Sequence, residues 1–357
     1  MHVSLAVTNF AWPVDQAETG RTLGRIAVQA EQAGFASFWV MDHFFQTPLN
    51  GGPTGDCPEA YTTLAFVAGQ TRTMRLGTLV TGVTHRHPGV LIKTVSTLDV
   101  LSGGRANLGI GASWYDEEQR GLGIPASSTS ERFRRLTETL LIAKQMWAGD
   151  ESPFDGRHYQ LDRPLNQPNS LSRPHPPILV GGQGEQRTFR ILAQHADAAN
   201  LYEPTDPVLH GYLVENLPAD HPMRRRGQGG PNGKRPPEAM LLHKLAVLRE
   251  RCEEIGRPYA EIEKTTLGGV ILSRDGKPGT LTPAAAIERY QWLAALGIDH
   301  AIVEPPTLWD ESVLELWAEV VAGVRDVVPA GRADTAVVNP TGAARQPVPV
   351  NGAPWPR

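Results

Sequence analysis

Cysteine is nearly absent from this chain. Cys57 and Cys252 are the two in 357 residues, too few for a disulfide framework and without the spacing of a metal site. A reducing, cytosolic setting fits that scarcity, and no bound metal is expected. Long apolar runs are missing too, since none approaches the ~20 residues that span a bilayer. The first residues, Met1-His2-Val3-Ser4-Leu5-Ala6-Val7, lack the basic segment and small-residue cleavage site of a secretory leader and read as a strand. Nor does charge of one sign dominate. Lys and Arg number 34 against 38 Asp and Glu, and a formal charge of −4 is too near neutral to suggest a nucleic acid or an acidic membrane as partner. What is present, 40% hydrophobic content, suffices for one large core or two modest ones, as in a soluble globular enzyme acting on a small molecule.

Strand-like and helix-like stretches alternate along the chain. The strands are read at Val3–Thr8, Ser37–Met41, Arg75–Thr81, Arg105–Gly111, Pro177–Gly181, Ala198–Tyr202, Thr265–Leu272 and His300–Val303. The helices between and after them are read at Glu18–Gly34, Pro58–Thr71, Pro88–Leu101, Glu131–Trp147, Gln186–His195, near Met240–Gly256, at Ala284–Leu296 and at Ser312–Val327. Units of strand then helix, with no run of hairpins, predict the α/β class and a closed (β/α)8 TIM barrel with insertions. A doubly wound sheet is the competitor, but the Gly-x-Gly-x-x-Gly that would open its first helix is missing. Three segments fall outside the alternation. Phe154–Arg163 reads as a small hairpin, residues 204–238 as a Gly/Pro/Arg-rich insertion, and Ala330–Arg357 as a disordered Pro/Ala/Gly-rich tail after a domain spanning 1–329.

The chemistry gathers where strands end. Ser37-Phe38-Trp39-Val40-Met41 runs into Asp42 and His43, and the C-terminal mouth of a barrel is where each strand delivers a reactive group. Only histidine titrates near neutrality without help, so His43 is the candidate acid/base group, with Asp42 orienting it or a cofactor. A loop histidine bonded to a carbonyl is the alternative. His85-Arg86-His87 ends the third strand, either touching a ligand or forming a solvated rim. Gly181-Gly182-Gln183-Gly184-Glu185-Gln186-Arg187 leads from a strand into a helix, where free N–H groups and the helix dipole favour a phosphate; a tight turn is the other reading. After the fourth strand, the small residues Gly111 and Ser113 leave room for a flat ring that Trp114 or Tyr115 could line.

Four stretches, in order, resemble the bacterial luciferase-like superfamily and its branch dependent on the deazaflavin coenzyme F420. They are Phe38–Phe44, Arg75-Leu76-Gly77-Thr78-Leu79-Val80-Thr81, Asn107–Trp114 with Glu118, and Pro177–Glu185. The resemblance implies that Asp42, Leu79, Val80, Thr81, Gly111, Ser113, Trp114, Glu118, Gly181, Gly182, Gly184, Glu185 and Arg187 hold the cofactor. It also implies a non-prolyl cis peptide at Leu79–Val80, bulging the third strand against the cofactor ring, where an ordinary strand is the alternative. The coenzyme carries a phosphate and an oligoglutamate tail, so the basic run Arg224-Arg225-Arg226 is read either as a solvated loop or as the tail's partner. Two departures stand out. The catalytic glutamate of the family's sugar-phosphate dehydrogenase aligns with Trp114 and its active-site tryptophan near Thr47, which argues against sugar-phosphate oxidation; the frequent histidine after Glu118 is Gln119.

The expected reaction is hydride transfer between F420 and an organic substrate. The alternatives are an FMN-dependent monooxygenase fed by a partner reductase and, in another class, a non-catalytic flavin-binding protein. Substrate, direction of transfer and oligomeric state, a homodimer among the options, are left open by the sequence.

Overall fold

The computed structural model of the chain describes residues 1–203 and 237–332. The elements run β1 His2–Val7, α1 Thr19–Gln32, β2 Ser37–Asp42, α2 Ala60–Gln70, β3 Arg75–Gly82, α3 Pro88–Ser102, β4 Ala106–Gly111, α4 Asp116–Gly121 and α5 Thr129–Ala148. They continue with β5 Phe154–Asp155, β6 Gln160–Leu161, β7 Ile178–Gly181, α6 Thr188–His195, β8 Ala198–Tyr202, α7 Pro237–Glu253, β9 Glu263–Gly268, α8 Pro283–Ala295, β10 His300–Val303 and α9 Glu311–Val324. Eight parallel strands close in the order β1-β10-β9-β8-β7-β4-β3-β2, the expected barrel. Both faces of each strand are covered, so β2 and β4 are buried throughout. Ala6, Trp39, Leu179, Ala198 and Ile302 fill the interior, while a larger cluster packs barrel against helices.

Local chemistry sets the helix ends. Ser128 and Glu131 form a reciprocal capping box on α5, and Gly149 closes that helix at φ 74°. Pro88 opens α3 behind the His87 cap. The expected hairpin is β5 with β6, antiparallel, its turn held by Glu138 accepting from the backbone N–H groups of Arg157, His158 and Tyr159.

Three boundaries differ from the sequence reading. The ninth strand stops at Gly268 rather than Leu272, where the backbone passes close to Glu203, so that a Cβ at Gly268 would lie 2.5 Å from that of Glu203, and Leu272 instead bridges to Leu281. The six-residue α4 was not anticipated. At the other end the chain stays docked past residue 329, since Ala330 N–H donates to the Ala294 carbonyl and Arg332 holds Asp299. The expected insertion, its last two residues excepted, and the tail beyond Arg332 lie outside the described residues.

Candidate active site

Alternation along β2 sends its last residues to opposite faces. Trp39 points into the barrel and Val40 out of it, so His43 continues the inner face and Asp42 the outer. Asp42 is buried, and Arg86 grips it with both nitrogens, Nη1 to Oδ2 at 2.6 Å and Nη2 to Oδ1 at 2.9 Å. The same guanidinium bonds Glu59, the cap of α2, and lies over Tyr61 at 4.9 Å and Phe44 at 5.5 Å. A forked, doubly bonded carboxylate of this kind is geometrically locked.

The carboxylate that holds His43 is Glu118 on α4, not the neighbouring Asp42. His43 Nδ1 lies 2.8 Å from Glu118 Oε1, and the N–H of Phe44 donates to Oε2 at 2.8 Å. Burial opposes ionisation of Glu118, but His43, His85 and the Phe44 N–H hold its carboxyl down at about 2. An ionised carboxylate only accepts, so Nδ1 of His43 carries the proton. Among the described residues Nε2 has no hydrogen-bond partner, and the His43 side chain is 15% exposed against 0% for Glu118.

His85 bridges the two carboxylates from below. Its Nδ1 is 3.6 Å from Asp42 Oδ2 and its Nε2 3.4 Å from Glu118 Oε1, ion-pair contacts rather than hydrogen bonds. Burial works against its charge, yet the carboxylates Asp42 and Glu118 raise the imidazole to about 9. Gly82 makes the ring's place, because a Cβ there would come within 2.6 Å of it. The open question about His85-Arg86-His87 thus divides: His85 and Arg86 enter the charge lattice, while His87 turns away to cap α3. Cys57 donates to the His43 carbonyl, and burial with Glu118 and Asp42 nearby pushes its thiol up to about 12.

On the strand beside β2, β3 is bulged and Leu79–Val80 is a cis peptide. Val80 leans across β4 and β7: a Cβ at Gly111 would meet it at 2.8 Å and one at Gly181 at 3.0 Å, while one at Gly109 would strike the Thr78 carbonyl oxygen at 1.8 Å. Thr81 is buried, its hydroxyl 2.7 Å from that of Tyr61. Ser113 adopts a left-handed φ of 56°, and its hydroxyl receives that of Thr84 at 2.9 Å. Trp114 is exposed, edge-on to His43 at 5.4 Å and stacked on Tyr115.

The glycine turn opens α6, whose first residues have no side-chain cap. Added Cβ atoms at Gly182 and Gly184 would press on Thr188, at 3.1 and 2.9 Å, so glycine keeps backbone alone around that helix start. Glu185 is taken up by Lys244 Nζ at 2.6 Å and His243 at 3.3 Å, and Arg187 lies over the Phe133 ring. Lys244 also donates to the Gln183 carbonyl, bringing a cation to the turn that the sequence reading missed. Only its place on α7, 59 residues after Glu185, could have signalled it, and that pairing has no local pattern.

Comparison with known proteins bears on the fold and the family. Residues 1–208 match the family model described as luciferase-like monooxygenase. An F420-dependent glucose-6-phosphate dehydrogenase from Kineococcus radiotolerans is 29% identical over 334 residues, covering 87% of this chain and 84% of its own. Among solved structures, a monooxygenase from Streptomyces bottropensis superposes with a TM-score of 0.70 at 18% identity, covering 90% of this chain and 99% of its own. A coenzyme F420-dependent tetrahydromethanopterin reductase from Methanopyrus kandleri gives 0.66 at 15%, covering 92% and 99%. These structural likenesses concern the fold, whereas the family match covers more than half of the chain: this protein belongs to the luciferase-like family.

Proposed function

We propose that the protein is an oxidoreductase that binds coenzyme F420 and uses it on an organic substrate. The observation that carries the reading is His43, held by the ionised Glu118 with Nε2 unclaimed at the mouth, beside the β3 bulge, whose Val80 is accommodated by Gly111 of β4 and Gly181 of β7. The residues fit the coenzyme: a flat wall at Val80, Gly111 and Gly181, and an uncapped helix start at Gly182–Gly184 with Lys244 beside it for the phosphate. When bound, the deazaflavin supplies a hydride donor or acceptor and, with carbon in place of the flavin N5, no oxygen chemistry. His43 then gives or takes the proton at the substrate oxygen, Glu118 keeps its tautomer, and Asp42 with Arg86 keeps the strand end rigid. The dehydrogenase relative supports the choice of cofactor. Its sugar-phosphate substrate is not carried over, since the exposed Trp114 stands where its glutamate aligns.

Spectroscopic titration with oxidised F420 and with FMN tests the reading. We expect tighter binding of F420, no oxygen uptake, and affinity that falls when Lys244 becomes alanine. Equal or tighter binding of FMN with oxygen uptake when reduced flavin is supplied would overturn it in favour of the monooxygenase. Binding of either without turnover of any substrate would favour a binding protein.

A further inference from the structure

The mechanism gives His85 no part, although its ring lies between the two buried carboxylates of the mouth. The side chain is 2% exposed; Nδ1 faces Asp42 Oδ2 at 3.6 Å and Nε2 faces Glu118 Oε1 at 3.4 Å. A neutral imidazole has one bare nitrogen, which would turn its lone pair toward an ionised oxygen on whichever side it fell. The imidazolium offers an N–H to both.

The charges around the ring point the same way. From β2 come Asp42 and His43, from α4 Glu118, and from its own loop Arg86, with Glu59 of the α2 cap behind. The Cys57 thiol, pushed up to about 12 by burial, and the Tyr61 phenol, also raised by burial, add no charge. Arg86 is taken up by Asp42 and Glu59, and no lysine or arginine forms an ion pair with Glu118 among the described residues. A carboxylate with no exposed side-chain surface needs a counter-charge. If His85 did not supply it, His43 would have to, by holding a proton on Nε2 as well as on Nδ1.

We propose that His85 is a positioning residue whose imidazolium carries the counter-charge of Glu118 and so leaves His43 free to release and retake the proton on Nε2. This deepens the oxidoreductase reading and rests on it for the use made of His43. Burial works against the charge on His85 and the two carboxylates overcome it, raising the ring to about 9, so its proton stays through neutral pH. The rings of His43 and His85 are 6.4 Å apart, near enough for one cation to oppose a second.

The test is nuclear magnetic resonance on the full-length, cofactor-free protein with 15N-labelled histidine, His43 and His85 being assigned by the signals lost in His43→Ala and His85→Gln. His85 should show both ring nitrogens protonated near pH 8, where an unpaired histidine is neutral. In His85→Gln, which keeps a polar side chain without the charge, the pH at which His43 titrates should rise by about one unit. His85→Lys returns the charge and should reverse most of that shift, which a packing role alone would not do. A neutral His85 near pH 8, a His43 midpoint that is the same in wild type and His85→Gln, or a midpoint as high in His85→Lys as in His85→Gln would each overturn the proposal. If His85→Gln does not fold, the wild type still decides, because a spectrum near pH 8 without any imidazolium signal overturns it too. Failure of the wild type to bind F420 sinks the cofactor reading instead, and the spectra of the cofactor-free protein still judge His85.

Discussion

The barrel carries a histidine–carboxylate network at each end. At the C-terminal mouth, His43 and His85 share Glu118, and Asp42 with Arg86 completes the lattice. At the opposite end, His300 bonds Glu263 at 3.0 Å and Ser4 at 2.6 Å; Ser4 bonds Ser37 at 2.5 Å, and Trp39 Nε1 donates to Ser37 at 2.7 Å. On paper the second set, a Glu–His–Ser relay, looks the more catalytic. Yet Ser4 and Ser37 are sealed, and every link is taken, so the relay fills the barrel floor. The mouth differs in one respect, a histidine with one nitrogen tied and the other left over. Linked polar groups mark a site only where the chain of bonds is left open.

Breaking each network should therefore give different losses. His43→Ala is expected to keep the fold and lower turnover by about 10²–10⁴, whereas His300→Ala should lower the melting temperature and leave turnover nearly intact. Steady-state assays beside thermal melts decide this, and normal turnover in the first variant would remove His43 from the chemistry. Next in size, Glu118→Gln removes a fully buried carboxylate from its two histidines and should cost about 3–5 kcal/mol in chemical denaturation. Glu263→Gln, at a side chain 38% exposed, should cost about 0–1 kcal/mol. Similar losses would mean that the two ends are equally committed.

The pH dependence separates them again. Glu118 and Glu263 are both held at about 2, below the ordinary carboxylate value, so their contribution is present above that ordinary value and is lost as pH falls toward about 2. His85 works in the other direction. Its folded value of about 9 exceeds the unfolded one, so its contribution is full below about 6.5 and is lost as pH rises through about 9. His85→Gln should flatten that alkaline loss in a stability–pH series; an unchanged alkaline limb would show that His85 is neutral. The smallest effects belong to the floor's margin. Arg332→Ala should cost about 1–2 kcal/mol, since its two bonds to Asp299 are charge-assisted. Removing 333–357, poor in apolar periodicity, should stay within about 0.5 kcal/mol.

The sequence made the barrel legible because parallel strands buried on both faces appear as short apolar runs, and because caps such as Ser128 and Gly149 punctuate the helices. It misjudged the end of β9, where glycine in an apolar run stands for a packing clearance at Glu203 rather than for continuation. Helix α4 escaped because six residues carry no period. At the mouth, Asp42 and His43 were readable from their place at a strand end. The partner of His43 was not, since Glu118 lies 75 residues away and nothing local announces the pairing. Nor could periodicity separate His85 and Arg86 from His87, because the division depends on the room that Gly82 leaves.

The exchange at Val80 has a consequence for affinity. Gly111 and Gly181 withhold side chains from the mouth, and a single branched residue from the neighbouring strand fills the space they leave. Long flexible side chains in that wall would each lose about 0.5–1.5 kcal/mol of rotamer freedom when a ring settled against them. Backbone and a β-branched valine, already stiff at χ1, have little left to lose. The wall is in this sense ordered before anything arrives, and replacing Val80 by methionine should weaken ring binding through entropy while leaving its enthalpy largely unchanged.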